Sequence, residues 1–310
     1  MSNDLALRHE PITELFPKPK NSAEWECHLL SEEQLVQFKE QGFVNGIRLL
    51  NNKQIGVLRA ELAEMTDPHH EGHELFYEYH SNESDHPDTV LFHALGAWRV
   101  QPAFHDILWN SAFLLPAYQL LGKKFRLFHD QLFSKPAKHG GVVAWHQDFS
   151  YWTWTQPMAH LTCWIGLDDA TEENGCLHYI PSSHRWGLLE KTGLAGDMDS
   201  VREVLTPAQV GDFDKQQPIV LSKGECSFHH PLMMHGSYEN KSYQSRRATV
   251  INVLGEGVTS NWEGTHSPGT ENFPMLPKGA PMAGQFYPML FEAEKALGEL
   301  AAEIPTVDTV

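Results

Sequence analysis

Val142-Val143-Ala144-Trp145-His146-Gln147-Asp148 is a short apolar, partly β-branched run that ends in two side chains able to bind a metal, and Phe149-Ser150-Tyr151-Trp152-Thr153-Trp154 follows it directly. Such a run reads as a strand, because branched and aromatic side chains fit a pleated, half-buried surface. Comparable runs lie on both sides, near 125–134, 160–167, 176–180, 218–221, 225–230, 233–238 and 247–254, with turn residues between them. Short strands at this spacing predict an antiparallel sandwich or barrel. The polar segment 186–217 interrupts the series and is partly helical in composition. It is expected to be an insertion near an open end of the barrel, where long loops often serve as lids.

The flanks have a different pattern. Ser31 with Gln34 forms a capping box, Leu35, Phe38 and Lys39 continue a helix, and Gly42 stops it. A second helix is expected from Asn52 to Met65, and a third from Phe104 to Leu121, stopped by Gly122. The stretch His69 to Pro87 is polar and reads as a loop. The tail from Pro288 to Ile304 carries Leu290, Ala293, Ala296, Leu297 and Leu300 at helical spacing. The expected organisation is one domain over 1–310, with a helical part at about 28–122, a β core at about 123–256 and a helical tail at about 286–304.

The chain has 310 residues, 41% of them hydrophobic and 20% charged, which supports a sizeable core and argues against disorder. A net charge of −17 disfavours nucleic acid and anionic membrane surfaces as partners. No run of about 18 apolar residues is present, so no membrane span is expected. Met1 to Pro17 carries Asp4, Glu10 and Glu14 and lacks the apolar stretch of a secretory signal. Cys27, Cys163, Cys176 and Cys226 form no CxxC pair and read as buried free thiols in a reducing, cytoplasmic compartment.

On a strand, residues two apart face the same side, so His146 and Asp148 would offer a nitrogen and an oxygen to one cation. His235, in Met234-His235-Gly236-Ser237, is the best third ligand from a distant strand. Two histidines and one carboxylate on one face of a metal leave the other face open, the ligand set of non-haem iron(II) oxygenases. A lone His-x-Asp carries little weight in a chain with 19 histidines, and the plain alternative is packing or hydrogen bonding. Arg246 lies eleven residues after His235, beyond the turn-like Tyr238–Ser242, and a hairpin would return it towards the metal. Its guanidinium matches a carboxylate fork, and Ser237 is placed to bind the same group. Arg247 would face the opposite side, and the alternative is that both arginines lie on the surface. Lys135 reads as a structural or surface lysine, and His229, His230, His69, His70 and His73 as core or surface histidines, with support of a ligand as the alternative for one of the first two.

In order and spacing, these segments resemble the phytanoyl-CoA dioxygenase family. The matching text is His146-Gln147-Asp148, Glu173-Asn174-Gly175-Cys176-Leu177 leading to Ile180-Pro181-Ser182-Ser183-His184, then His235-Gly236-Ser237 and Arg246. Leu30-Ser31-Glu32-Glu33-Gln34 through Gly42-Phe43-Val44 is similar to the family's opening helix and strand, so the resemblance covers roughly residues 28–255, with Ser182 where the family usually has glycine. It implies a mainly β chain with flanking helices (α+β) around a double-stranded β-helix, a jelly-roll, cupin-like core. It implies Fe(II) held by His146, Asp148 and His235, with 2-oxoglutarate and O2 as co-substrates and no catalytic side chain beyond the metal ligands. Arg246 and Ser237 would bind the distal carboxylate of 2-oxoglutarate, and Trp164 and Gln131 would line its pocket.

Ectoine hydroxylases, a branch of that family, carry a similar stretch whose last tryptophan helps hold the substrate, which makes Trp152 the candidate substrate residue and leaves Phe149 as core filling. Related halogenases have a small residue where Asp148 stands, so the carboxylate implies hydroxylation, desaturation or ring closure. The expected activity is hydroxylation of an unactivated C–H bond of a small molecule, with release of succinate and CO2. The rival readings are a protein-side-chain hydroxylase, a zinc hydrolase or isomerase on a cupin-like barrel, and a non-catalytic ligand-binding jelly roll. No feature sets an oligomeric state.

Overall fold

The computed structural model describes residues 4–84, 86, 88–191, 193, 197–264 and 272–307. Its strands are β1 (Phe43–Arg48), β2 (Glu78–His80), β3 (Phe92–Leu95), β4 (Lys124–Lys135), β5 (Val143–His146), β6 (Thr155–Gln156) and β7 (His160–Gly166). They continue as β8 (Leu177–Tyr179), β9 (Gln217–Ile219), β10 (Glu225–His229), β11 (His235–Ser237), β12 (Arg246–Gly255), β13 (Thr259–Ser260) and β14 (Met289–Glu292). One sheet runs β1-β10-β7-β12-β4-β3-β2, with β14 also on β4; a second, smaller sheet runs β5-β11-β8-β9, and β13 pairs with β6 in a third. All the named pairings are antiparallel.

The register of the large sheet explains how one chain makes both a core and a site. Gln131, Val250, Trp164 and Ser227 form one cross-strand row, and His129, Asn252, Thr162 and His229 form the row two residues along. Lys135 and Arg246 pair at the end of β4. Side chains alternate across a sheet, so these rows share the inner face. The intervening residues Leu132, Ile165, Cys163, Ile251 and Phe228 belong to a core cluster with Leu58, Leu62, Phe104, Leu108, Phe113 and Leu115 of the helical segments. Burial on both faces is why β7 is buried along its whole length.

The capping box expected at Ser31 forms, and Asn51 makes another that was not expected. Ser31 and Asn51 each exchange side-chain and backbone hydrogen bonds with Gln34 and Gln54, starting helices Glu32–Gln41 and Asn52–Met65. Such caps each contribute about 1 kcal/mol. Gly42 ends the first helix in the left-handed region at φ 84°, and any Cβ there would collide with the His184 ring.

Five expectations need correction. Cys27 is exposed, because it follows the short helix Ser22–Glu26 at the surface, whereas Cys163, Cys176 and Cys226 are buried. The helix expected over Phe104–Leu121 is two helices, Pro102–Asp106 and Ser111–Leu121, joined by a 3-10 turn at Ile107–Trp109. Asn110 breaks it: its side chain accepts from Ala112 N and donates to the Leu49 carbonyl, both at 3.1 Å. The polar stretch 69–87, of which 85 and 87 lie outside the described residues, contains β2, paired with β3. The tail is not helical from about 286. It enters as β14, paired with Lys124, Phe125 and Arg126, because Phe291 packs 5.6 Å from Phe125, and it turns helical only at Ala293. The stretch ahead of the core is not only helical, because β1, β2 and β3 extend the large sheet. No described helix is long and apolar enough to cross a membrane.

Candidate active site

His146 ends β5 and His235 begins β11, and the two face each other directly in the small sheet. Asp148 is not on the strand: it opens a 3-10 turn, Asp148–Tyr151, after the extended Gln147. The turn, rather than strand alternation, brings the carboxylate to the imidazoles. His146 Nε2 lies 3.4 Å and His235 Nε2 3.5 Å from Asp148 Oδ1. Among the described residues these three form the one cluster of ligand-type side chains whose donor atoms all lie within 4.8 Å of one another. Donors bound at about 2.1 Å and at right angles sit about 3 Å apart, so a single ion fits here with little movement.

The backbone sets the tautomers. Each imidazole has Nδ1 2.8 Å from a carbonyl, Ala144 O for His146 and Met233 O for His235. An N–H on Nδ1 leaves the Nε2 lone pair aimed at the shared centre. Asp148 Oδ2 accepts from Thr162 Oγ1 at 2.7 Å and lies 3.0 Å from His229 Nε2, so Oδ1 is left for a metal. Burial alone would raise the Asp148 pKa, but His235, His146 and His229 hold it well below the usual carboxylate range. His235 is pushed well below its ordinary value by burial and by His146, which favours the neutral imidazole. Gly236 lets β11 fit: an added Cβ would lie 3.1 Å from the Val143 carbonyl oxygen and 3.2 Å from Trp145 N.

Beside this centre is a cavity of about 50 Å³, lined among others by Gln131, Trp164, Ser237 and Arg246. Arg246 does not arrive by a hairpin. β11 and β12 belong to different sheets, and 238–245 crosses between them. Arg246 is 1% exposed, its Nη2 lies 3.4 Å from Ser237 Oγ, and its guanidinium sits 5.3 Å from the Trp164 ring centre. Burial lowers its pKa to about 10. Among the described residues no carboxylate pairs with it, and its Nε has no partner. Lys135 is fully buried, and its Nζ donates to Ser237 Oγ at 2.6 Å and to the Ser237 and Tyr238 carbonyls. Burial, and then Arg246, hold its pKa well below the ordinary lysine value. With Oγ already accepting from Lys135, the Ser237 hydroxyl hydrogen is free to donate. The buried Arg246 guanidinium and the Ser237 hydroxyl donor lining a small cavity, with Lys135 bonded to the serine behind them, make a receptor for a carboxylate. Arg247 points away and grips Asp168 through Nε and Nη2 at 2.8 and 2.9 Å.

A second cavity of about 410 Å³ opens on the other side of His146 and Asp148. Trp152, 6% exposed, lines it with Phe128, Trp154, Phe273 and Met275. Lys191 and Gly193 lie at its edge, within 186–217, of which 192 and 194–196 lie outside the described residues. Gln147 points away from His146 and His235, towards the segment after Gly187. Its amide donates to Gly187 O and Leu232 O and accepts from Leu189 N, tying that segment down. Further along, Phe213 packs 4.9 Å from Trp145.

The sequence-expected residues His146, Asp148, His235, Arg246, Ser237, Trp164 and Gln131 therefore meet around one cavity, and Trp152 lines its neighbour. Three residues that act on them carry no clear signal in the sequence. Lys135 and His229 read there as ordinary side chains, and the one hint at Thr162 is its place two residues before Trp164, on the same face of β7.

A family model described as phytanoyl-CoA dioxygenase (PhyH) matches residues 38–248. The L-proline trans-4-hydroxylase of Streptomyces griseoviridis is 30% identical over 189 residues, 53% of this chain and 70% of that protein. The non-haem α-ketoglutarate-dependent carbocyclase SnoK from nogalamycin biosynthesis superposes with a TM-score of 0.67 at 23% identity, over 84% of this chain and 96% of that one. EctD from S. alaskensis, solved with 2-oxoglutarate and 5-hydroxyectoine, gives 0.60 at 18% identity, over 80% and 83%. These two likenesses establish the expected α+β fold with its double-stranded β-helix core. The chain spans 59% and 62% of the length of two nematode relatives that are each 30% identical to it.

Proposed function

The chain belongs to the phytanoyl-CoA dioxygenase family, and from that premise we propose that it is an Fe(II)- and 2-oxoglutarate-dependent dioxygenase that hydroxylates an unactivated C–H bond of a small molecule. The observation that carries the reading is the convergence of His146, Asp148 and His235 beside a buried Arg246 that lacks a carboxylate partner among the described residues. The donor set fits Fe(II), with two neutral imidazoles and one carboxylate on one side and room on the other. Bound there with 2-oxoglutarate and O2, iron supplies the oxidation that releases succinate and CO2 and places one oxygen atom in the substrate C–H bond.

The chain's own residues bind, orient and exclude water. Arg246 and the Ser237 hydroxyl hold the distal carboxylate of 2-oxoglutarate, and Lys135 fixes the Ser237 rotamer through its 2.6 Å bond. Trp164 walls the co-substrate, and Gln131 lies where the two cavities join. Thr162 and His229 hold Asp148 Oδ2 so that Oδ1 faces the ion. Trp152 and its aromatic neighbours offer an apolar wall to the substrate and keep water from the reacting carbon. The size of the larger cavity, about 410 Å³, favours a small molecule over a protein side chain.

The test is oxygen uptake with succinate quantified from 2-oxoglutarate, with Fe(II) and ascorbate present. Succinate equal to the oxygen consumed, lost in Asp148→Ala, is expected. Tight zinc binding with no succinate formed would overturn the reading.

A further inference from the structure

Gln131 stands at the junction of the two cavities, and a side-chain chain behind it decides which way its amide faces. His93, 5% exposed on β3, lies diagonally across from Gln131 on β4 and stacks on Phe133 at 4.5 Å and 13°. Its Nε2 is 3.1 Å from Gln131 Oε1. Its Nδ1 is 2.8 Å from Glu83 Oε2, a contact lying off the N–H axis and so an ion pair rather than a linear hydrogen bond.

A carboxylate oxygen 2.8 Å from Nδ1 stabilises positive charge on the ring, so a proton on Nδ1 is favoured over a lone pair. The half-buried Glu83 charge is then best balanced when Nε2 carries one too. Burial alone would lower the His93 pKa, but Glu83 more than offsets it and the net shift is upward. Glu83 shifts the other way: burial would raise it, and His93 outweighs burial. An imidazolium has donors on both nitrogens and no acceptor. The Gln131 atom that meets Nε2 must therefore be its oxygen, which leaves both amide hydrogens on the cavity side.

We propose that Glu83 and His93 are positioning residues that lock Gln131 with its amide N–H2 turned into the junction of the two cavities, where it donates to an oxygen of 2-oxoglutarate. The proposal rests on the reading of the smaller cavity as the 2-oxoglutarate site. A neutral His93 with its proton on Nδ1 would reverse the order. It would accept from the Gln131 amide and turn the carbonyl oxygen, an unsuitable partner for a carboxylate or keto oxygen, towards the co-substrate.

The test is anaerobic titration of the Fe(II)-loaded chain with 2-oxoglutarate, followed by the charge-transfer absorbance of the complex, on wild type, Gln131→Leu, His93→Phe, Glu83→Gln, and each of the last two combined with Gln131→Leu. A lost hydrogen bond of this kind gives a Kd increase of about tenfold for Gln131→Leu and His93→Phe and about threefold for Glu83→Gln. The double variants bind like Gln131→Leu alone, because a residue that acts only through Gln131 has nothing left to position. Nitrogen-15 spectra should show His93 protonated on both ring nitrogens in wild type but not in Glu83→Gln. Glu83→Gln keeps the packing around His93, so it decides the matter even if His93→Phe folds poorly. Additive losses in the double variants, unchanged affinity in Glu83→Gln, or a neutral His93 would overturn the proposal while leaving the functional reading intact. No 2-oxoglutarate binding by wild type would overturn both.

Discussion

The two cavities share Gln131, Phe133, Val143, His146 and Asp148 and are otherwise built differently. The smaller, about 50 Å³, is lined only by strand residues and the Asp148 turn, with Arg246 and Ser237 closing its far end. The larger, about 410 Å³, takes much of its wall from segments between the strands: Glu83, Trp152, Trp154, Lys191, Phe273 and Met275. A pocket made by sheet register is rigid and reproduces one ligand geometry, whereas a pocket made by connecting segments is free to vary. Under the proposed function, the shared co-substrate occupies the first and the protein's own substrate the second.

The sharpest way to break this division is to remove what both cavities use. Asp148→Ala takes away the one carboxylate donor, and Fe(II) affinity should fall by about a hundredfold or more, with succinate formation lost. Metal content after dialysis checks this. Arg246→Met should act on the smaller cavity alone. It should raise the KM for 2-oxoglutarate about a hundredfold, the loss of a buried charge-assisted pair, and leave metal content unchanged. Thr162→Val removes the hydroxyl that holds Asp148 Oδ2 and should weaken iron binding by about thirtyfold, measured by competition with a chelator. Trp152→Ala should act on the larger cavity alone. It should leave 2-oxoglutarate affinity within about twofold of wild type and cut substrate-stimulated oxygen uptake about tenfold, the loss expected of an aromatic contact. An equal loss of 2-oxoglutarate affinity in Trp152→Ala would erase the distinction between the cavities. Ser182→Gly touches neither and sets the baseline. Ser182 sits at φ 67° with Oγ donating to the Glu40 carbonyl. Relief of about 1 kcal/mol of left-handed strain against one lost hydrogen bond should leave the denaturation midpoint nearly unchanged.

The same division governs what the sequence makes legible. Each of the eight core strands lies where its β-branched and aromatic run stands in the sequence, because the register that buries those residues also sets their spacing. His146 and Asp148 stand out because a His-x-Asp pair puts two metal-binding side chain types at short spacing, and His235 because His235-Gly236-Ser237 precedes Arg246 in a family-like order. The route by which they meet is hidden: Asp148 reaches the centre through a 3-10 turn, and Arg246 through a crossing between sheets, and neither leaves a periodic trace. Ser182 stands where the family usually has glycine, and its left-handed backbone gives the physical reason for that glycine. Lys135 is legible only as a lysine before a proline, and its burial against Ser237 depends on the partner sheet. The wall of the larger cavity is the least legible. Glu83 lies in a stretch that reads as a polar loop, and Phe273 and Met275 are more than 120 residues beyond Asp148 with no motif around them.

The central claim is that His146, Asp148 and His235 hold one iron ion while Arg246 grips the diacid beside it. Crystals grown without oxygen in the presence of Fe(II) and 2-oxoglutarate, with anomalous data collected at the iron edge, test it directly. The claim predicts a single strong peak about 2.1 Å from His146 Nε2, His235 Nε2 and Asp148 Oδ1, with the free carboxylate of 2-oxoglutarate on Arg246 and Ser237. A peak elsewhere, or 2-oxoglutarate density away from Arg246, would contradict it.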